Sequence, residues 1–227
     1  MKVAVLFSGG KDSTFALWCA QMHGWDVESL VTVFPESEDS WMFHYPAVKW
    51  TRLQAQTIGI PQTIIPTQGV KEKELEDLSK GLGTLASHSG IEGIVSGAVA
   101  SEYQRTRLDN ICEGLGLKSF APLWRKNQEH LLREQIECGF KIIMTACNAL
   151  GLDARWLGRE LGESELAELV QLNKKYGLNV AFEGGEAETF VTGAPLFKEH
   201  LSIVRSTPRW RGESGYLDME EIQLHND

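Results

Sequence analysis

Residues 2–13, Lys2-Val3-Ala4-Val5-Leu6-Phe7-Ser8-Gly9-Gly10-Lys11-Asp12-Ser13, decide the fold. The first half is a continuous apolar run of strand length, the pattern of a parallel strand covered on both faces. Asp12 to His23 then carries Phe15, Ala16, Leu17, Trp18, Cys19, Ala20 and Met22, with Gly24 where a helix stops. Two glycines, two hydroxyls and an ammonium therefore stand at a turn from strand into helix. Glycines let backbone N–H groups approach an anion, the helix N-terminus adds unsatisfied donors, and Lys11 adds a point charge. A ligand-free glycine turn is the plainer account, but a position at the carboxyl end of a first strand favours a phosphate site. The run is not a Walker loop, because Gly10-Lys11 is followed by Asp12 and position 5 is not glycine.

Outward from that run, strand and helix signals alternate. Val27–Phe34 reads as a strand stopped by Pro35, and Pro46–Ile58 as a helix closed by Gly59-Ile60-Pro61. Gln62–Pro66 is a short strand, and Leu75, Leu78, Leu82 and Leu85 form a helical stripe. Gly93–Ser96 is a strand, Ser101–Leu115 a helix, and Phe120-Ala121-Pro122 closes the series. Such alternation implies a parallel sheet flanked by helices, a Rossmann-like α/β fold. Beyond it come a helix over Asn127–Cys138, a strand over Phe140–Ala146, a helix from Ser164 to Gly177, the strand-like run Val180-Ala181-Phe182, and final strands. We expect a phosphate-binding domain over residues 1–121 and a smaller C-terminal α/β substrate lobe over 122–227. The dinucleotide fingerprint spelled by Gly81-Leu82-Gly83-Thr84-Leu85-Ala86 lies inside the leucine stripe and is discarded.

Composition narrows the function classes. With 227 residues, 42% hydrophobic and 23% charged, the chain has the make-up of a globular domain with a second lobe. A net charge of −9 disfavours general nucleic-acid binding. No apolar run reaches the roughly 18 residues of a membrane span. Cys19, Cys112, Cys138 and Cys147 form no Cys-x-x-Cys pair and read as reduced thiols, so a cytoplasmic protein is expected.

The run Ser8–Ser13 resembles the PP-loop of the N-type ATP pyrophosphatase superfamily, whose adenine nucleotide alpha hydrolase-like domains cleave ATP between the α and β phosphates. Three further stretches resemble its diphthine–ammonia ligase (diphthamide synthase) branch. They are Ser96-Gly97-Ala98 with Glu102-Tyr103-Gln104-Arg105-Thr106-Arg107, Trp156-Leu157-Gly158-Arg159, and Glu183-Gly184-Gly185-Glu186-Ala187-Glu188-Thr189-Phe190. The likeness, extended by Leu115–Trp124 and Pro195-Leu196-Phe197, spans nearly the whole chain, and departs at Ala187, where family members often carry an aromatic residue. It implies an AMP-forming ligase using ATP and Mg²⁺, with ammonium as nitrogen donor and diphthine-bearing translation elongation factor two as protein substrate. A homodimer is one admissible assembly.

The assigned residues follow from that resemblance and from the chemistry each can perform. Ser8, Gly9, Gly10, Lys11, Asp12, Ser13, Gly97, Gln104, Arg105 and Arg107 are expected at the nucleotide, the arginines as bidentate phosphate clamps. Lys11, Asp12, Arg105, Glu186 and Glu188 are expected to carry catalysis, and Asp12 and Glu186 to ligate a metal. Glu183, Gly184, Gly185, Glu186, Glu188 and Thr189 are assigned to substrate. So are Trp41, Phe43, His44 and Tyr45 in an acidic, aromatic loop. Three carboxylates within six residues repel one another unless a cation offsets them. Mg²⁺ and the trimethylammonium of diphthine are equally eligible partners. Lys11 is expected to contribute no core packing. Two competing readings are another PP-loop enzyme (a tRNA thiolase or an amidotransferase) and a sensor that binds ATP or AMP without turnover.

Overall fold

The computed structural model describes residues 1–35, 47–67 and 71–225 and divides into two compact units. Residues 1–8 and 12–124 make the first; residues 125–227 and the three loop residues Gly9–Lys11 make the second.

The first unit is a five-stranded parallel sheet: β1 (Lys2–Leu6), β2 (Asp26–Pro35), β3 (Gln62–Thr67), β4 (Gly93–Val95) and β5 (Lys118–Phe120), in the order β3-β2-β1-β4-β5. The connecting helices are α1 (Lys11–Met22), α2 (Thr51–Ile58), α3 (Lys71–Ser89) and α4 (Glu102–Leu115). Val3, Ala4 and Val5 have no exposed surface, as a central strand requires. One core cluster joins Ala4, Val31, Ile65 and Ile94 of the sheet to Leu82 of α3 and to Leu108 and Cys112 of α4. The leucine stripe thus belongs to a helix, and the Gly81–Ala86 run sits within it. The chain leaves β1 toward β2 and β3, then crosses to β4 and β5. The β1/β4 boundary is therefore the topological switch point, where open α/β sheets bind ligands beyond the strands' carboxyl ends.

The second unit is built on an antiparallel sheet of β6 (Lys141–Cys147), β7 (Ala187–Gly193), β8 (His200–Arg211) and β9 (Ser214–His225), ordered β7-β6-β9-β8. Helices α5 (Gln128–Glu137) and α6 (Glu163–Tyr176) complete it. Its buried side chains include Leu131 and Leu132 of α5, Leu166 and Leu169 of α6, Ile142, Met144, Phe190 and Val191 of the sheet, and Trp156.

One expectation is corrected here. Val180-Ala181-Phe182 is no strand but part of a turn, with Phe182 in the left-handed region at φ 64°. The Asn179 side chain accepts from the Ala181 amide at 2.9 Å and the Asn179 carbonyl accepts from the Phe182 amide at 2.9 Å. Local bonds have replaced a sheet ladder.

Candidate active site

In the first unit Ser8, Asp12 and Ser13, which flank the glycines, stand at the switch point. Ser8 and Ser13 bring their hydroxyl oxygens within 3.1 Å, and the Ser8 amide donates to Ser13 Oγ at 3.3 Å. Gly97, just past β4, has to be glycine. A Cβ there would stand 2.7 Å from both the carbonyl carbon of Asp12 and the amide nitrogen of Ser13. That close approach brings the loop after β4 against the first turn of α1, whose amides point to the strands' carboxyl ends.

A cavity of about 580 Å³ opens there, within the size range of small-molecule sites. Ser8, Asp12 and Ser13 line it with Ser96 and Gly97. Gln104 and Arg107 of α4 add polar groups, while Leu6, Val31, Val33, Leu75 and Leu78 supply apolar wall. Ser101 caps α4 by accepting from the Gln104 amide at 3.3 Å, which fixes the turn that carries these side chains.

The two arginines part company. Arg107 lines the cavity, its guanidinium stacked 3.3 Å from the Tyr103 ring centroid. Arg105 lies 4.5 Å over the Trp124 ring and 3.5 Å from Asp109, and is not among the lining residues. Tyr103, which stands in the Glu102–Arg107 stretch but is given no role there, and Glu74 also line the cavity; nothing in the local pattern around Glu74 distinguishes it from helix surface.

In the second unit the other loop residues are tied to β7 and to the turn before it. The Val191 amide donates to the Gly9 carbonyl at 3.0 Å, and the Lys11 amide donates to Thr189 Oγ1 at 3.2 Å. Gly9 accepts this path at φ 79°. Lys11 Nζ donates to the Ala181 carbonyl at 2.7 Å and sits 5.3 Å from the Phe182 ring centroid. Lys11 is only 2% exposed, which corrects the expectation that it contributes no packing. A flexible four-carbon stem becomes buried once a carbonyl and a ring face are supplied for its head group.

The acidic turn is held from within. Glu186 takes the Gly184 amide at 2.8 Å on one carboxylate oxygen and the Asn179 amide at 3.3 Å on the other. Asn148, following β6, brackets it, donating its amide to the Glu186 carbonyl at 2.7 Å and its side chain to the Gly185 carbonyl at 3.3 Å. Backbone amides thus offset the charge of Glu186. Ala187 is buried and paired across the ladder with Cys147. Holding Phe182 left-handed costs about 1–2 kcal/mol, which these bonds offset.

Among the described residues no group of three or more His, Cys, Asp or Glu is arranged to hold a metal ion. Asp12, which lines the cavity, is a carboxylate of the kind that would serve Mg²⁺, an ion that keeps waters and binds through one or two carboxylates plus phosphate oxygens. Glu186 fits less well, both its oxygens being engaged by amides. Trp41, Phe43, His44 and Tyr45 lie outside the described residues.

The Trp156–Arg159 stretch forms an internal clamp. The Arg159 guanidinium lies 4.4 Å from the Trp156 ring centroid and pairs with Glu165 at 2.8 Å and Glu168 at 3.0 Å. Burial opposes ionisation of Glu165. Hydrogen bonds from Arg159, Ser164 and backbone amides outweigh it and hold the carboxyl down at about 2. Burial raises the thiols, Cys112 to about 11 and Cys147 to about 12, and shifts Cys138 upward too. These three stay protonated at neutral pH, the opposite of activated nucleophiles.

Comparison with known proteins agrees with both units. Residues 1–119 match the diphthamide synthase N-terminal domain and residues 127–224 the diphthamide synthase C-terminal domain. The chain belongs to the diphthamide synthase family. It is 37% identical over 222 residues to a diphthine–ammonia ligase of Rattus norvegicus, covering 89% of this chain and 83% of that protein. It is 36% identical over 243 residues to a diphthine–ammonia ligase of Mus musculus, covering 99% and 91%. Among solved structures it is similar to a subunit assigned to a tRNA methyltransferase of Methanocaldococcus jannaschii, at 19% identity over 86% of this chain and 98% of that one, TM-score 0.49. No described helix is long and apolar enough to cross a membrane.

Proposed function

We propose that this chain is a diphthine–ammonia ligase that converts diphthine on translation elongation factor two to diphthamide, consuming ATP and ammonium and releasing AMP and pyrophosphate. The observation that carries the reading is the family match across both units, coupled to a phosphate loop at the switch point of the first. A carboxylate and ammonia form only a salt at neutral pH, so the acid first needs a leaving group. The diphthine carboxylate oxygen attacks the α-phosphorus of ATP, the bond to the β-phosphate oxygen breaks, and pyrophosphate departs with that electron pair. Ammonia then adds to the acyl carbon, AMP leaves, and one proton is released with the amide.

Ser8–Ser13 cradles the β and γ phosphates, and Arg107 and Gln104 contact phosphate from α4. Asp12 would hold Mg²⁺, which would supply positive charge against that accumulating on pyrophosphate. The apolar wall of Leu6, Val31 and Val33 suits an adenine. Everything in this scheme is positioning and electrostatics, the terms that dominate phosphate-centred displacements.

The thiolase reading needs an activated sulfur, and the raised thiols of Cys112, Cys138 and Cys147 speak against it. The protein is expected to work in the cytoplasm. Labelled ATP tests the proposal. AMP and pyrophosphate, in step with diphthamide, are expected only when diphthine-bearing factor and ammonium are both present. Release of ADP, or AMP formation indifferent to the acceptor, overturns it.

A further inference from the structure

We propose that Phe182 is a positioning residue for the reaction, holding the Lys11 ammonium at a fixed point through its own left-handed backbone and ring. The inference rests on the reading that the loop grips ATP phosphates. A lysine head group on four rotatable bonds is a mobile charge, and it acts on a developing pyrophosphate only as well as it is held. Here one side of the ammonium meets the Ala181 carbonyl at 2.7 Å and the Phe182 ring centroid lies at 5.3 Å. Both features come from one residue's conformation. Rotation about φ of Phe182 turns the Ala181–Phe182 peptide plane relative to the chain that follows, so φ 64° is what aims that carbonyl. An aromatic residue is seldom left-handed, and such a conformation persists only where its surroundings enforce it. They do: the Phe182 amide donates to Asn179, its carbonyl accepts from Gly185 at 3.2 Å, its side chain is buried, and Glu186 fastens both ends of the turn.

The Ala181 carbonyl and the Phe182 ring, held by the turn that leads into the acidic residues, thus cradle a cation of the chain itself. Lys11 serves the β and γ phosphates, so damage to the cradle should be felt by ATP and not by AMP. Phe182→Leu, which keeps bulk and loses the ring, is expected to weaken equilibrium ATP binding and kcat/KM for ATP by about 10-fold to 50-fold while AMP binding stays within about twofold. Phe182→Tyr restores both. In a Lys11→Met background, Phe182→Leu should cost no further ATP affinity. Should Phe182→Leu fail to fold, Glu186→Gln loosens the same turn from its other end and should also weaken ATP selectively.

Wild-type ATP binding in Phe182→Leu, or an equal loss for ATP and AMP, overturns the proposal, as does an undiminished loss in the Lys11→Met background. The two readings separate cleanly. An inactive Lys11→Met beside a normal Phe182→Leu removes the positioning role alone, whereas a fully active Lys11→Met removes the phosphate loop and this inference with it.

Discussion

The two units treat charge in opposite ways. In the first, Asp12 and Arg107 line a cavity at a sheet's switch point, beside hydroxyls and helix amides suited to an anion. In the second, the prominent charges close on the chain itself: Glu186 onto two amides of its own turn, Arg159 onto Glu165 and Glu168, Lys11 onto a carbonyl. A cluster of charges in a sequence therefore says that something must offset them, and leaves open whether a ligand or the backbone does so. The first unit is organised to receive; the second is organised to hold.

Lys11 puts the sharpest strain on that contrast, because it belongs to the phosphate loop by sequence and to the second unit by packing. Lys11→Met keeps most of the buried volume and removes the charge. We expect AMP formation to fall at least 10²-fold to 10³-fold. Urea unfolding should show a loss of about 1–2 kcal/mol, since the Ala181 carbonyl is left buried without its ammonium donor. A large stability loss with activity retained would make Lys11 purely a holder and dissolve the distinction.

How far each unit is legible in the amino-acid sequence follows the same divide. The parallel sheet rests on local signals: an apolar run for β1, a leucine stripe for α3, a serine cap for α4, all readable within a dozen residues. The six-residue loop is equally local. The turn at 179–186 is not, because its conformation depends on Asn148 and on Gly9–Lys11, which lie far away in the chain. Val180-Ala181-Phe182 has strand-like composition, and only the amide bonds of Asn179 and Glu186 make it a turn. The difference between Arg105 and Arg107 was hidden for a related reason. Two residues apart on α4 they diverge, and the Trp124 face that takes Arg105 lies beyond the helix.

That pair gives the intermediate test, within the receiving unit. Arg107→Ala should raise KM for ATP by about 10-fold to 100-fold, the loss of a charge-assisted contact to phosphate. Arg105→Ala should change it by less than about threefold, because its half-exposed pair with Asp109 is worth little. Equal effects would mean that the cavity draws on both, and that lining it is not what separates a receiving charge from a held one.

The smallest effect belongs to the holding unit and is a matter of pH. Glu165 ionises near 2 in the folded chain against an ordinary 4.5, so the folded state prefers its charged form. Its contribution is fully present above about pH 4.5 and is lost as the pH falls toward 2, because protonation then costs the folded state more than the unfolded one. The shift corresponds to about 1–3 kcal/mol, with some loss to solvent screening at the partly exposed Arg159. Urea midpoints should therefore drop between pH 5 and pH 3, and Glu165→Gln should flatten that drop while lowering stability at pH 7. An unchanged slope in the variant would show that Arg159 is held by Trp156 and Glu168 without Glu165. The clamp would then be a stacking arrangement first and an ion pair second.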